Sequence, residues 1–420
     1  MNKKFLLIII IAVIATLGLL FFLRASQSQD GPDDFSADEK NPIFGGSGNR
    51  NEDGLAGEES VEEKSEFGLG GGKNLPRLRK ITFKEISGFG LFGNKGTTTI
   101  RFVDKESGNV FETNTKTSET KRITNTTILR TVNSWWFDES RFLLRYVDEE
   151  NNIQTFSAEI QKEAEDGALP LSGVFLDSGI KSLSVFGQNV FHLEEGGGSR
   201  GIVSSYGTLN KNVVLETPLE EIIPIFYAQN SLAVGTKPSY LSAGFIFLLN
   251  TSTGNLEKLL GGERGFYGNI LNEKGDVLFS RGKNTGVSLW FWEREKNKSL
   301  KLSKETLVEK CAWREEEKSL YCAVPEDTGF IGLPDIWYKG LVSFSDSLWK
   351  INVETNESKL LSDLNLESGE RVDALEIRLD EGGENLFFVN KKDGTLWSLV
   401  LEKKEVEAFG ASNRGIPESE

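Results

Sequence analysis

Cys311 and Cys322 are the two cysteines of the chain, and they flank one acidic turn, Glu315-Glu316-Glu317-Lys318. Their midpoint falls between Glu316 and Glu317, so a symmetric hairpin sets them directly opposite each other. The turn has no Gly or Asn, which disfavours a two-residue type I′ loop. A four-residue loop over 315–318 makes Arg314 and Ser319 the closing pair. Cys311 and Cys322 then take a non-hydrogen-bonded site, where side chains approach most closely. In an oxidising compartment this pair forms a disulfide; the alternative is two buried thiols. A bridge here would be a staple, because the chain has no Cys-x-x-Cys redox pair.

The second group of interest lies in a Gly- and Pro-containing stretch, 325–346, where Asp327, Asp335, Trp337, Tyr338 and Asp346 place aromatic rings beside carboxylates. Rings that stack and acids that accept hydrogen bonds could hold a sugar or a peptide. Asp335, Trp337, Tyr338 and Asp346 are therefore the candidate ligand or partner contacts. Trp337 offers the largest face, and Asp335 stands two residues before it. The competing role is a cover whose Trp and Tyr pack on their own scaffold, since aromatics commonly supply buried area.

Other signals are weaker. Gly196-Gly197-Gly198-Ser199-Arg200-Gly201 matches G-x-G-x-x-G, but the strand-like Ile202-Val203-Ser204-Ser205-Tyr206 follows it. A dinucleotide site needs a helix there, so this segment reads as a turn. His192, in Val190-Phe191-His192-Leu193, is the single histidine and reads as a structural or surface residue. One His and two Cys cannot build a zinc finger, a zincin or an iron–sulfur site. There is no G-x-S-x-G, H-E-x-x-H or EF-hand loop. No catalytic set, metal site or cofactor is expected.

The 420 residues carry 63 acids against 48 basic residues, a net charge of −15. A nucleic-acid binder would need a basic face, so that class is set aside. The aromatic and aliphatic content is still enough for a large core.

The amino terminus sets the expected location. Residues 5–23, FLLIIIIAVIATLGLLFFL, carry no charge and would make about 28 Å of helix, close to the ~30 Å hydrocarbon core. Lys3 and Lys4 precede the run and place the stub 1–4 in the cytoplasm. The run exceeds the usual apolar region of a signal peptide and lacks a good cleavage site, although cleavage is the competing fate. Residues 24–74 form an acidic, Gly-rich stretch; within 26–74 there are 12 acids, 4 basic residues and 10 glycines. Such a segment cannot bury enough apolar surface to offset its ordering entropy. It reads as a disordered tether with a reach of about 35–42 Å. The tail 411–420 reads as disordered too.

From 75 to 410 the pattern is all-β: short apolar runs broken by polar turns, with no long 3.6-residue period. One turn recurs after an aromatic or aliphatic residue. Examples are Trp136-Phe137-Asp138-Glu139-Ser140, Leu271-Asn272-Glu273-Lys274-Gly275, Trp313-Arg314-Glu315-Glu316-Glu317 and Leu379-Asp380-Glu381-Gly382-Gly383. A second type is Asp104-Lys105-Glu106-Ser107-Gly108-Asn109 and Asn250-Thr251-Ser252-Thr253-Gly254-Asn255. Landmarks at 136, 185, 226, 271, 313 and 379 repeat at about 40–50 residues, the propeller period. The last, longer interval holds the 325–346 stretch as an insertion. The spacing predicts a β-propeller of about seven four-stranded blades, with six to eight compatible. Blades should begin near 81, 128, 180, 222, 266, 308 and 372. The first and last segments must close the ring to avoid exposed edges.

The aromatic-x-acid-x-Gly hairpins and the strands Leu348-Trp349-Lys350-Ile351 and Leu396-Trp397-Ser398-Leu399 resemble TolB-type and WD40-like propellers. Glu309-Lys310-Cys311-Ala312-Trp313, Tyr321-Cys322-Ala323-Val324-Pro325 and Leu333-Pro334-Asp335-Ile336-Trp337-Tyr338-Lys339-Gly340 resemble segments of uncharacterised single-span membrane-anchored bacterial propeller proteins. The Gly-His and Trp-Asp marks of true WD40 repeats are missing. The resemblance implies the fold and leaves the activity open.

The expectation is a single-pass membrane protein with a monomeric, extracytoplasmic propeller head. The head would act as a non-enzymatic binding or scaffold module for a protein or glycan at the cell envelope. The alternative is an envelope hydrolase or lyase acting on glycan or peptide through carboxylates at the propeller channel.

Overall fold

A computed structural model of the protein describes residues 75–401, apart from 94–95, 118, 163–168, 177–178 and 207–210. The expected membrane run 5–23, the tether 24–74 and the tail 411–420 lie outside the described residues. Among the described residues, no helix is long and apolar enough to cross a membrane.

Among the described residues, twenty-eight strands form seven four-stranded antiparallel sheets. Each is a blade, with strands A to D running from the inside of the ring outward. The innermost strands are Ile86–Phe92, Thr131–Trp136, Ile180–Phe186, Ile222–Ala228, Tyr267–Ile270, Cys311–Arg314 and Ala374–Leu379. Six blades follow chain order. Blade seven is composite: its order from outside to inside is Leu78–Lys80, Thr395–Val400, Asn385–Asn390, Ala374–Leu379. The start of the chain described here therefore supplies the outer strand of the last blade, with Leu78 opposite Leu399. This gives the expected closure, and it corrects one detail: 78–80 belongs to blade seven, so blade one starts at Ile86.

The recurring acidic turns all fall between strands A and B, as at 137–140, 271–276, 315–318 and 380–384. The second turn type is not one position. Residues 105–109 join B to C in blade one, whereas 250–255 join C to D in blade four. Burial explains the layering. Strand B of blade two, Arg141–Val147, has four consecutive buried residues, while its outer strand Leu171–Phe175 is largely exposed. A strand covered on both faces tolerates a continuous apolar run. Core clusters then span neighbouring blades: Tyr321 and Leu348 of blade six pack with Phe388 and Trp397 of blade seven, and Phe387 and Leu396 pack with Phe89 and Phe102 of blade one.

Cys311 and Cys322 are cross-strand partners and form a disulfide, with Arg314 and Ser319 closing the pairing. Glu315–Glu317 makes one 3₁₀ turn, and Lys318 completes the loop in the left-handed region at φ 46°. The closed loop is short, about 12 residues, so the chain-entropy model gives at most about 3 kcal/mol. We expect Cys311→Ala to lower the urea midpoint of the head modestly. Thiol titration of the native protein should find no free cysteine; two free thiols would refute the bridge.

Candidate functional site

Strand direction gives the ring two faces. One carries the A–B and C–D turns. The other, the B–C face, carries the B–C loops and the connections between blades. The insertion is the B–C loop of blade six, between Ser319–Pro325 and Asp346–Asn352. It crosses the B–C face and is held at four blades.

Its anchor is a closed ionic cluster. Lys310 ends the 3₁₀ turn Val308–Lys310, just before the inner strand of blade six. Asp373 stands in the same place before the inner strand of blade seven, and Asp346 opens strand C of blade six. The ring brings all three together. Lys310 Nζ donates to Asp373 Oδ1 at 2.6 Å, to Asp346 Oδ2 at 2.7 Å and to the Ala374 carbonyl at 2.9 Å. All three side chains are 0% exposed. Trp337, on the short helix Asp335–Tyr338, donates Nε1–H to Asp373 Oδ2 at 2.9 Å. Its ring stacks on Phe344 at 6.1 Å, and Lys310 Nζ lies 5.3 Å from each ring. Lys391 lies over the Trp337 ring at 4.7 Å and donates to its carbonyl at 2.8 Å.

The two acids have opposite electrostatics. Burial pushes the Asp346 carboxyl up to about 6, against the pull of Lys310. Burial acts on Asp373 in the same sense, but the Lys310 charge and several donors outweigh it and hold this carboxyl below its usual range.

The rest of the insertion is tied to neighbouring blades. Asp335 accepts from Ser239 Oγ at 3.2 Å and from the Tyr240 N–H, both in the B–C loop of blade four. Gly286 of blade five donates to the Phe330 carbonyl at 3.0 Å. Its φ is 82°, and a Cβ there would sit 2.5 Å from the Thr328 carbonyl oxygen, so the approach depends on glycine. Tyr338 donates its hydroxyl to Glu309. Burial raises the Glu309 carboxyl and, with Glu309 beside it, raises the Tyr338 hydroxyl well above its usual value.

The four candidate contacts are thus not one surface. Asp335 faces blade four. Trp337 is 3% exposed, with its ring faces against Phe344 and the lysines. Asp346 is sealed under the insertion, and Tyr338 is at the surface. Lys310, Asp373 and Glu309 escaped the sequence reading. Their one available signal was position, directly before or at the start of inner strands. Large aliphatic residues stand exposed on this face, Leu241 at 74%, Ile331 at 68% and Leu341 at 71%, among exposed polar residues such as Ser242, Asp327 and Lys339.

Elsewhere, Gly196–Gly198 form a turn followed by strand Ser199–Ser205, as their sequence context required. His192 is a buried strand residue whose Nε2 lies 3.2 Å from Glu194 Oε1. Burial lowers its pKa, with Glu194 opposing. Among the described residues, no group of three or more His, Cys, Asp or Glu side chains is placed to hold a metal ion. A cleft of about 550 Å³ opens between blades one and two, beside Lys84, Glu85, Asp104 and Arg130.

No family model matches the chain, and no curated protein matches its sequence. Solved structures with similar folds include a puromycin-hydrolyzing peptidase of Mycobacterium tuberculosis, at 12% identity over 73% of this chain and 50% of that chain, TM-score 0.49. Another is the propeller domain of the Trilobed protease from Pyrococcus furiosus, at 10% identity over 76% and 96%, TM-score 0.48. A third is TolB from Acinetobacter baumannii, at 10% identity over 63% and 59%, TM-score 0.39. The chain spans about half the length of the peptidase. These are likenesses of fold.

Proposed function

We propose that this chain is a membrane-anchored, extracytoplasmic propeller that works without catalysis, as a binding or scaffold module for a protein or glycan of the cell envelope. The observation that carries this reading is the insertion laid over the B–C face, with Leu241, Ile331 and Leu341 exposed on and beside it. Surplus chain on a rigid scaffold is where binding residues concentrate, and exposed aliphatic residues set among polar ones suit a protein partner better than a sugar. The two acids of the cluster, Asp346 and Asp373, are enclosed on Lys310, a structural arrangement that offers a substrate no access.

The apolar run 5–23 and the lysines before it support the anchor, and the Cys311–Cys322 bridge suits an oxidising compartment. Topology adds a direction. Strand Leu78–Lys80 runs antiparallel to Thr395–Val400, so residues 75–77 reach blade seven from the A–B side. The B–C face then points away from the point where the preceding chain joins the head.

Both native cysteines are bridged, so Ser242→Cys, at an exposed position, adds a unique thiol. A membrane-impermeant maleimide should label it in intact cells; labelling only after lysis would contradict the location. A photo-crosslinking residue at Leu341 should give a discrete adduct, and one at Leu360 on the outer strand of blade six should not. Equal behaviour at the two positions would contradict a binding B–C face.

A further inference from the structure

We propose that the insertion is latched by one proton, held on Oδ1 of Asp346, and that losing this proton loosens 326–345 from blade seven. The device stands whether or not the B–C face binds a partner.

Asp373 is surrounded by donors: Lys310 Nζ at 2.6 Å, Trp337 Nε1 at 2.9 and 3.3 Å, Ser343 Oγ at 3.2 Å and the Phe344 N–H at 3.0 Å. Only an ionised carboxylate can accept all of them. Asp346 is different. Its Oδ2 accepts from Lys310 at 2.7 Å and from the Ala374 N–H at 2.6 Å. Its Oδ1 is buried and has no partner. Oδ1 is therefore the one carboxylate oxygen of the cluster free to carry a proton.

One lysine against two carboxylates leaves a net charge of −1 when both acids are ionised, in a site closed to solvent. An uncompensated buried charge is costly, and a neutral buried acid is much less so. Of the other charged groups near the cluster, Lys391 bonds the Trp337 carbonyl, faces its ring and is coupled to Asp373; it offsets Asp373, while the charges acting on Asp346 are those of Lys310 and Asp373. Arg371 donates to Ser345 Oγ at 3.1 Å and is exposed. Glu309, bonded by Tyr338, adds another acid rather than a cation.

The sign follows from burial. The Asp346 carboxyl is raised in the folded state, to about 6, so its contribution is full below the unfolded value and is lost as pH rises through 6. Asp373 is lowered and works the other way, losing its contribution only as pH falls below the ordinary carboxylate range. Between pH 5 and 8 two groups can carry a change of this sign, Asp346 and Glu309, also raised; the latch is assigned to Asp346, whose unpartnered oxygen is in the cluster.

Hydrogen exchange of the full chain in membranes or detergent, corrected for the intrinsic pH dependence of exchange, tests this. The opening equilibrium of 326–345 should rise about tenfold from pH 5 to pH 8, while strand Arg141–Val147 should not change. Asp346→Asn should make the insertion flat over this range, and Glu309→Gln should leave the wild-type slope. A flat wild type, or a slope that survives in Asp346→Asn or vanishes in Glu309→Gln, overturns the proposal. Should Asp346→Asn fail to fold, carbon-13 NMR of the aspartate carboxyls in the wild type decides: one buried aspartate must titrate near pH 6, and none doing so rejects the latch.

Discussion

Lys310→Met should destabilise the head by about 3–5 kcal/mol, the usual cost of removing one partner from a buried ion pair. Methionine retains most of the side-chain length, so the loss is charge and hydrogen bonding rather than volume. What remains is two carboxylates, both 0% exposed, with no cation between them. Both then ionise less readily in the folded than in the unfolded chain. By linkage the deficit should grow as pH rises through the carboxylate range and shrink in acid, where both acids are neutral in either state. Urea unfolding at pH 5 and pH 8 measures this. Lys350→Met is the matched control: Lys350 pairs with Glu317 at a partly exposed site on the A–B side, where such pairs are worth about 0–1 kcal/mol. A Lys310→Met variant within 1 kcal/mol of wild type would mean that the cluster does not hold the ring at blades six and seven.

What the sequence made legible was local. The A–B turns carry their own signature of a large apolar residue followed by acids and glycine. Their spacing therefore gave the period and the blade count. The Cys311–Cys322 register depends on a four-residue loop, and Arg314 and Ser319 do close it. The insertion was visible because it exceeds the length that four strands need. The ionic cluster was not visible, for a physical reason. Lys310 and Asp373 are single charges among many, and nothing within a few residues of either announces burial. They meet because ring closure places the starts of two successive inner strands side by side, which is a property of the assembled propeller. The same holds for composite blade seven. Its outer strand is three residues, Leu78–Lys80, too short to carry a period, and it is fixed by pairing with Thr395–Val400. Nor does an aromatic in a Gly- and Pro-rich loop reveal whether it is covered, so Trp337 stood out while Ile331 and Leu341, the more exposed residues, did not.

Trp337→Ala separates packing from recognition. Removing a buried indole typically costs about 3–5 kcal/mol through lost burial and the cavity left behind. Here it also removes a donor from Asp373 and the surface under Lys391. The melting temperature of the full-length protein should therefore fall clearly. Trp337→Phe divides the effect. A phenyl ring can keep the stack on Phe344, but it cannot donate to Asp373, and a hydrogen bond to a charged group is worth about 1.5–3 kcal/mol. Trp337→Phe should thus fall between wild type and Trp337→Ala. Leu341→Asp should do the reverse. Leu341 is largely exposed, so its replacement should leave melting nearly unchanged and abolish partner capture at the B–C face. That capture would be read by a crosslinker placed at Leu241. The decisive comparison is crosslinking per folded molecule. If Trp337→Ala melts lower but its folded fraction crosslinks like wild type, the indole supports the insertion and the aliphatic residues around it meet the partner. If it melts like wild type and loses crosslinking, Trp337 is itself the contact, and the insertion must move to expose it.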